Sequence, residues 1–450
     1  MRLTSVKNDF SKGFDSESDI FSRKPLYVQI LNIALNASDE NLVLALDDKW
    51  GNGKTSFVKM MESEININDS DKLDVIYFDA FANDYQSDPF ISLSSKIYNM
   101  IEKEEKYTNK LSEQFLNVGK KVGASFLTNG VKYIISASTA NIVSGTIIDK
   151  VGDVISDSLS TPLEDFIAEK IKSGDDEDKN IEFFKSALKD IYHKKNKKTL
   201  FIIDELDRAR PDFSLDLLER IKHLFSVDGF IFLLVMNRQQ FEKSIECRYG
   251  EIDSRMYLNK FINFWFSLPK IRYSDESVTE YGNYSTIMKF LIKLQGENPN
   301  ALSRGGPAIT SLAFLLDVNK CSLREAERCY SIINIIEGGE RINGYRKDYQ
   351  YVFSLVAFLK IYNPDLIMEI IDRRVNHSDL VEMINLKCNS SHKDIEDNLS
   401  EIIEYALSSD QELESHRNGD KKYSNIEYRG VRVDFFSRVN AHIDNLIIDR

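Results

Sequence analysis

The sequence has little that could hold a metal or run nucleophilic chemistry. Its four cysteines, Cys247, Cys321, Cys329 and Cys388, show no metal-ligand spacing and no close pair, which argues against a disulfide framework and fits a reducing compartment. Its six histidines are scattered, with no H-E-x-x-H run, so no nuclease, protease or deaminase constellation is visible. Positive charge is in deficit: a net −13 argues against broad attraction to nucleic acid or anionic lipid. The basic run His193–Lys198 is read as a solvated turn before an apolar strand. The first residues, Met1 to Asp9, lack the apolar core that targets secretion, so a cytoplasmic location is expected. Long apolar runs are missing too. Tyr133–Ile148 is broken by Ser136, Ser138, Thr139, Asn141, Ser144 and Thr146, whereas a spanning helix needs ~20 mostly apolar residues, so a soluble helical hairpin is expected there. Neither internal repeats nor coiled-coil heptads are found.

What the sequence does hold is an alternation of strands and helices. Its 450 residues suit two to three domains. Residues 1–22 are polar and expected to be loosely ordered. A helix is expected over Asp19–Leu35, opening near Pro25. Asn41–Leu46 is a continuous apolar run, the mark of a strand buried on both faces, and a Gly-containing turn and a helix over Thr55–Ile65 follow it. Further strands are read at Asp74–Phe78, Thr199–Ile203 and Gly229–Val235, with helices near Ser92–Lys103, 180–192 and Ser214–Leu224. The alternation predicts α/β architecture with right-handed crossovers and a parallel sheet of about five strands. Residues 104–180 read as a helical insertion closed by an exposed acidic loop, Gly174–Asp178. The expected organisation is a core over 1–272, a helical lid over 273–340 and a mostly helical region over 341–450.

Two motifs carry the chemistry. Asp48-Lys-Trp-Gly-Asn-Gly-Lys-Thr55 lies between a buried strand and a helix, where backbone N–H groups and the positive helix end can wrap phosphates. Trp50, Gly51, Asn52, Gly53, Lys54, Thr55 and Ser56 are therefore the expected nucleotide-binding residues, with Lys54 on the β- and γ-phosphates and the Thr55 hydroxyl on Mg²⁺. Asp48 stands where the pattern G-x-x-x-x-G-K-[ST] has its first glycine. Aspartate tolerates the left-handed turn, but its charge is unwelcome near a triphosphate unless it points away or accepts loop N–H bonds.

Leu200-Phe-Ile-Ile-Asp-Glu205 is the partner motif, a buried strand whose tip reaches the ligand crevice of an open α/β sheet. Asp204 is expected to hold Mg²⁺ through water, and Glu205 to orient and polarise the attacking water. Asn237, ending the next strand, either senses the γ-phosphate or starts a turn.

These residues resemble the KAP family of P-loop NTPases, additional-strand ATPases near the AAA+ and STAND groups. The resemblance rests on Lys49-Trp-Gly-Asn-Gly-Lys-Thr55, Phe78-Asp-Ala-Phe81, Ile202-Ile-Asp-Glu-Leu-Asp-Arg208 and Tyr257-Leu-Asn-Lys260, and covers roughly residues 19–335. It implies the helical insertion, roles for Asp207 and Arg208, and a lid helix at Ser322–Arg328 whose Arg324 reaches the γ-phosphate. The alternative for Arg324 is an i,i+3 pair with Glu327 on a solvated helix. The chain departs from the family's pattern at Asp48, at Phe81 where tryptophan is frequent, and at Asn237 where aspartate is frequent. ATP is favoured over GTP because no N-K-x-D run is present.

The function expected from these readings is a Mg²⁺-dependent ATPase acting as a conformational or assembly switch, with unidentified partner proteins. Bacterial relatives imply a connection to phage defence. The alternatives are a nucleotide-stabilised scaffold with little turnover, suggested by Asp48, and a membrane-associated signalling adaptor, suggested by Tyr133–Ile148. ATPases of this type complete their site with an arginine from a neighbouring subunit, for which Arg255 is the first candidate and Arg248 the second; the competing reading pairs Arg255 with Glu251 or Asp253.

Overall fold

Short runs of buried aliphatic residues form the strands, because a strand covered by helices on both faces has no solvent side to keep polar. In a computed structural model, β1 (Val43–Asp47), β2 (Leu73–Asp79), β3 (Lys198–Asp204), β4 (Phe230–Met236) and β5 (Phe264–Ser267) form one sheet in the order β2-β3-β4-β1-β5, with every neighbouring pair parallel. The structure describes residues 9–37, 42–86, 88–102, 174–271, 284–296, 306–337, 345–386, 393–427 and 430–446. Most of the insertion read at 104–180, including Tyr133–Ile148, lies outside them. Among the described residues no helix is long and apolar enough to cross a membrane.

Four strands stand where the apolar runs predict them. The fifth, β5, completes the predicted number, but its place was not legible: it is an edge strand of four residues, Phe-Trp-Phe-Ser, with both ends exposed. Strand β4 is inserted between β1 and β3, so the tips of β1 and β3 are two strand spacings, roughly 10 Å, apart.

Helix α1 (Lys24–Asn36) precedes β1 and α2 (Lys54–Asn68) follows it. The helices α3 (Ala80–Asn83) and α4 (Pro89–Glu102) follow β2, and α5 (Gly174–Lys195) leads into β3. Next come α6 (Pro211–His223) before β4, then α7 (Arg238–Tyr249) and α8 (Ser254–Asn259) before β5. Alternate residues of each strand feed two cores. Leu44, Leu46, Leu200, Ile202, Leu233 and Val235 pack with α1 and α2 residues such as Ile30, Phe57 and Met61. Phe201, Phe232 and Leu234 belong to the other core, with Phe90, Phe184 and Leu218 from α4, α5 and α6.

Three local expectations are corrected. Helix α1 starts at Lys24, not at Asp19, because the Asp19 carboxylate accepts from the N–H groups of Arg23 at 2.7 Å and Lys24 at 2.9 Å and so caps the helix from outside. Residues 9–22 are not loose: Phe14 and Ile20 are buried, and Phe14 stacks on Tyr27 at 5.2 Å. Gly174–Asp178 is the start of α5, not a loop.

The basic run before β3 is only partly solvated: His193 and Lys194 are exposed, but its later lysines are held in the fold. Lys195 and Lys197 both pair with Asp74, the former at 2.5 Å. Lys198 Nζ donates to the carbonyls of Ala34, Leu35 and Ala37 at 3.1, 2.8 and 2.6 Å, satisfying the C-terminal end of α1.

Beyond the sheet the described chain is helical. In order come α9 (Thr286–Leu294), α10 (Pro307–Val318), α11 (Leu323–Glu337), α12 (Lys347–Tyr362), α13 (Asp365–Ile371), α14 (His377–Met383), α15 (Lys393–Leu407), α16 (Asp410–Asn418) and α17 (Phe435–Asn440). A third core runs from Ile287 to Ile443, so the segments read as lid and C-terminal region share one hydrophobic interior. Its axis is α12, buried continuously from Val352 to Leu359.

Candidate functional site

The loop between β1 and α2 is shaped by two glycines. Gly51 and Gly53 have φ of +83° and +84°, where a side chain is strained. A Cβ on Gly51 would stand 2.4 Å from Cβ of Arg324, so only glycine lets α11 close onto the loop. Among the described residues no side chain caps α2, and its first residues Lys54, Thr55 and Ser56 line a cavity of about 330 Å³. Uncapped N–H groups at the positive end of a helix attract an anion.

Lys54 is buried, and its Nζ donates to the carbonyl oxygens of Asp48 at 2.5 Å and Lys49 at 3.3 Å. Burial pulls the ammonium's pKa down, and the carboxylates of Asp207, Asp48 and Glu205 work against it.

Asp48 meets both conditions under which its charge is tolerable. Its side chain is 2% exposed and is turned into the loop, where Oδ1 accepts from Lys49 N–H at 2.7 Å and Asn52 Nδ2 at 2.6 Å and pairs with Lys270 Nζ at 2.6 Å. Beneath the loop lies Arg23, 1% exposed, whose NH1 donates to the Asn52 carbonyl at 3.1 Å. Burial lowers the Arg23 pKa to about 10, against the raising influence of Asp48 and Asp19.

The tip of β3 supplies the opposing carboxylates. Asp204 is almost fully buried and accepts from Tyr77 Oη at 3.0 Å. Burial raises its pKa to about 6; the nearby Thr55 hydroxyl and the hydrogen bond from Tyr77 oppose the rise, and the charge of Glu205 adds to it. Glu205 sits at φ +56°, a left-handed setting that is rare for a residue with a side chain. That kink returns its carboxylate to the loop: Oε1 accepts from Thr55 Oγ1 at 3.1 Å, and Oε2 pairs with Arg208 Nε at 2.7 Å. Asp207 accepts from the Trp50 indole N–H, a second tie between the two motifs.

The cavity therefore brings together Trp50, Gly51, Gly53, Lys54, Thr55, Ser56, Asp204, Glu205 and Arg324 from the residues read in the sequence. Asn52 is not on its wall, since its side chain serves Asp48 and the Leu323 N–H. Asn237 caps α7 by accepting from Gln240 N–H at 3.4 Å and does not line the cavity. Arg255 is exposed on α8, away from the wall, and forms no ion pair among the described residues. Arg248 is engaged by Asp212 and Asp216 of α6. Sequence reasoning missed Lys270, Arg23 and Tyr77. It also missed the apolar side chains of the lining, Phe10, Ile20, Phe21, Phe290 and Tyr330.

A family model described as the KAP family P-loop domain matches residues 23–277. No curated protein matches the sequence. Similar solved structures include the Aeropyrum pernix ORC2 protein in its ADP form, 14% identical, covering 94% of this chain and 93% of that one, with a TM-score of 0.34. The Aeropyrum pernix ORC1 protein in complex with DNA is 15% identical, with 94% of this chain and 82% of that one covered and a TM-score of 0.36. At such scores the likeness carries no argument about function.

Proposed function

The chain belongs to the KAP family of P-loop NTPases, and on that premise we propose that it hydrolyses Mg-ATP and uses the nucleotide state to drive a conformational or assembly switch. One observation carries the reading: Lys54, Thr55, Asp204, Glu205 and Arg324 line a single cavity.

The residues present fit both groups. The uncapped start of α2 and Lys54 suit the phosphates, and the apolar walls Phe21, Phe290 and Tyr330 suit a flat base. Among the described residues no cluster of three or more His, Cys, Asp or Glu side chains is arranged around a metal. Mg²⁺ needs none, because it keeps several waters and binds through one or two carboxylates plus substrate phosphates. Thr55 and Asp204 are the residues that would hold it. When bound, the ion neutralises charge on the transferring phosphoryl group.

The chain's own groups then have distinct tasks. Lys54 and Arg324 supply positive charge from two sides of the cavity. Glu205 takes the proton of the attacking water, its orientation fixed through Oε2 by Arg208. The test is steady-state phosphate release with a Glu205→Gln control: ATP-dependent release that survives this change unaltered sinks the assignment.

A second reading, a nucleotide-binding scaffold with little turnover, is favoured by the engagement of both Glu205 oxygens, by Thr55 and by Arg208. Tight ATP binding without phosphate release by the wild-type protein would select it. The assembly step of the switch, with Arg255 reaching a neighbouring copy, is supported by that residue's exposure and by its having no ion pair among the described residues. A part in antiviral defence rests on the family resemblance alone.

A further inference from the structure

The carboxylate of Asp48 is the hub of a polar network that leaves the loop in two directions. One branch runs from Oδ1 to Lys270, three residues beyond the end of β5. The other runs through Asn52. Its Nδ2 is held by Asp48 Oδ1, and its Oδ1 accepts from the N–H of Leu323, the first residue of α11, at 3.3 Å. The next residue of that helix, Arg324, is the one that packs on Gly51. A glycine at position 48 has no side chain to make either connection.

The charge balance of this hub is narrow. Among the described residues, the buried Asp48 Oδ2 has no hydrogen-bond partner, and on the Arg23 side neither Nε nor NH2 has one. Lys270 is the cation in direct contact, at 28% exposure, while Arg23 acts through space from below. A buried carboxylate deprived of its counter-ion is strongly destabilising. Here it would also leave negative charge, offset only through space by Arg23, one loop away from the phosphates.

We propose that Asp48, Lys270 and Asn52 form a charge-compensated brace in place of the first glycine, in which Lys270 is a positioning residue for nucleotide binding and Asn52 links the phosphate loop to α11. The proposal rests on Gly51–Thr55 being the phosphate loop. Its specific content is a coupling between two residues 222 positions apart, neither of which lines the cavity.

A double-mutant cycle tests it, with ATP affinity read by calorimetry and folding by thermal unfolding. Lys270→Ala is expected to weaken ATP binding by about tenfold or more, because the carboxylate loses its cation. In an Asp48→Gly background the same change is expected to alter affinity by less than about threefold, since there is no charge left to compensate. Lys270→Arg, which keeps the cation, is expected to bind like the wild type; if Lys270→Ala does not fold, Lys270→Gln is read in its place. Equal losses in both backgrounds overturn the brace, and so does a lowered Tm with unchanged affinity of the folded protein. A Lys54→Ala protein that binds ATP normally sinks the phosphate-loop reading itself. Loss of binding in Lys54→Ala beside normal binding in Lys270→Ala sinks only the brace.

Discussion

The Thr55 hydroxyl donates to Glu205 Oε1 at 3.1 Å, and this one bond joins the first turn of α2 to the kink after β3. Strand β4 separates the two parent strands, so the contact is made only because Glu205 adopts its left-handed setting and turns back toward the loop. Its second oxygen is held by Arg208 and the neighbouring Asp207 by Trp50. The acidic turn is thus fastened to the phosphate loop at two places, which restricts the orientations open to Glu205.

Glu205→Gln keeps the shape of the side chain and can still accept from Thr55, but it cannot take a proton. Turnover is expected to fall by ~10²–10⁴-fold, the usual contribution of a general base, while ATP affinity stays within a few-fold of wild type. Phosphate release and calorimetry on the same preparation check the two halves.

Lys54→Ala removes the ammonium at the mouth of α2. Hydrogen bonds to charged groups are worth roughly 1.5–3 kcal/mol each, so ATP affinity is expected to drop by roughly 10–150-fold. Because Lys54 is held by the loop's own carbonyls of Asp48 and Lys49, the fold loses two hydrogen bonds as well. The variant's thermal unfolding must therefore be measured beside its affinity.

Asp204→Asn is expected to stabilise the protein in EDTA at pH 7.5. Folding raises this carboxyl from its ordinary 3.8 to about 6, chiefly by burial. The fold therefore binds the proton more tightly than the unfolded chain does. The stability this confers is full below pH ~4 and is lost as the pH rises through about 6, where ionised Asp204 costs roughly 3 kcal/mol. The Tm advantage of Asp204→Asn should accordingly shrink as the pH is lowered from 7.5 toward 4. With Mg²⁺ and ATP added, the wild type should gain Tm and the variant should gain far less. A variant no more stable than wild type in EDTA contradicts the argument.

The parts of the site legible in the sequence were those written contiguously. Lys54 and Thr55 follow an aliphatic strand, and Asp204 and Glu205 end another, so pattern and chemistry coincide within a few residues. Arg324 was legible only through family resemblance; the structure puts it on the cavity wall, with its Cβ against Gly51. Lys270 and Asp48 are brought together by the parallel pairing of β1 with β5, and β5 was itself hidden in four half-exposed residues with no clean alternation. Tyr77 and Asp204 meet because β2 and β3 pair in register, which local pattern does not specify. The basic run before β3 was partly misread for the same reason: the partners of its later lysines, Asp74 and the end of α1, are distant in sequence.

The final prediction concerns assembly. Arg255 is exposed at the start of α8, and among the described residues it pairs with neither Glu251 nor Asp253, the partners that would mark it as an ordinary surface arginine. Arg248, the other candidate from this stretch, is occupied by Asp212 and Asp216. An arginine supplied across an interface can raise turnover by ~10³–10⁵-fold, so an Arg255→Ala protein should bind ATP normally and turn over poorly. A Glu205→Gln protein should do the same for a different reason. If each subunit lends Arg255 to the site of the next, a mixture of the two variants contains pairs in which an intact Glu205 faces an intact Arg255. Phosphate release should then recover to a fraction of wild type, with a maximum near equal proportions. It should also fall on dilution as the oligomer dissociates. Turnover independent of protein concentration, with no recovery on mixing, would leave Arg208 and Arg324 as the positive charges that serve a single chain.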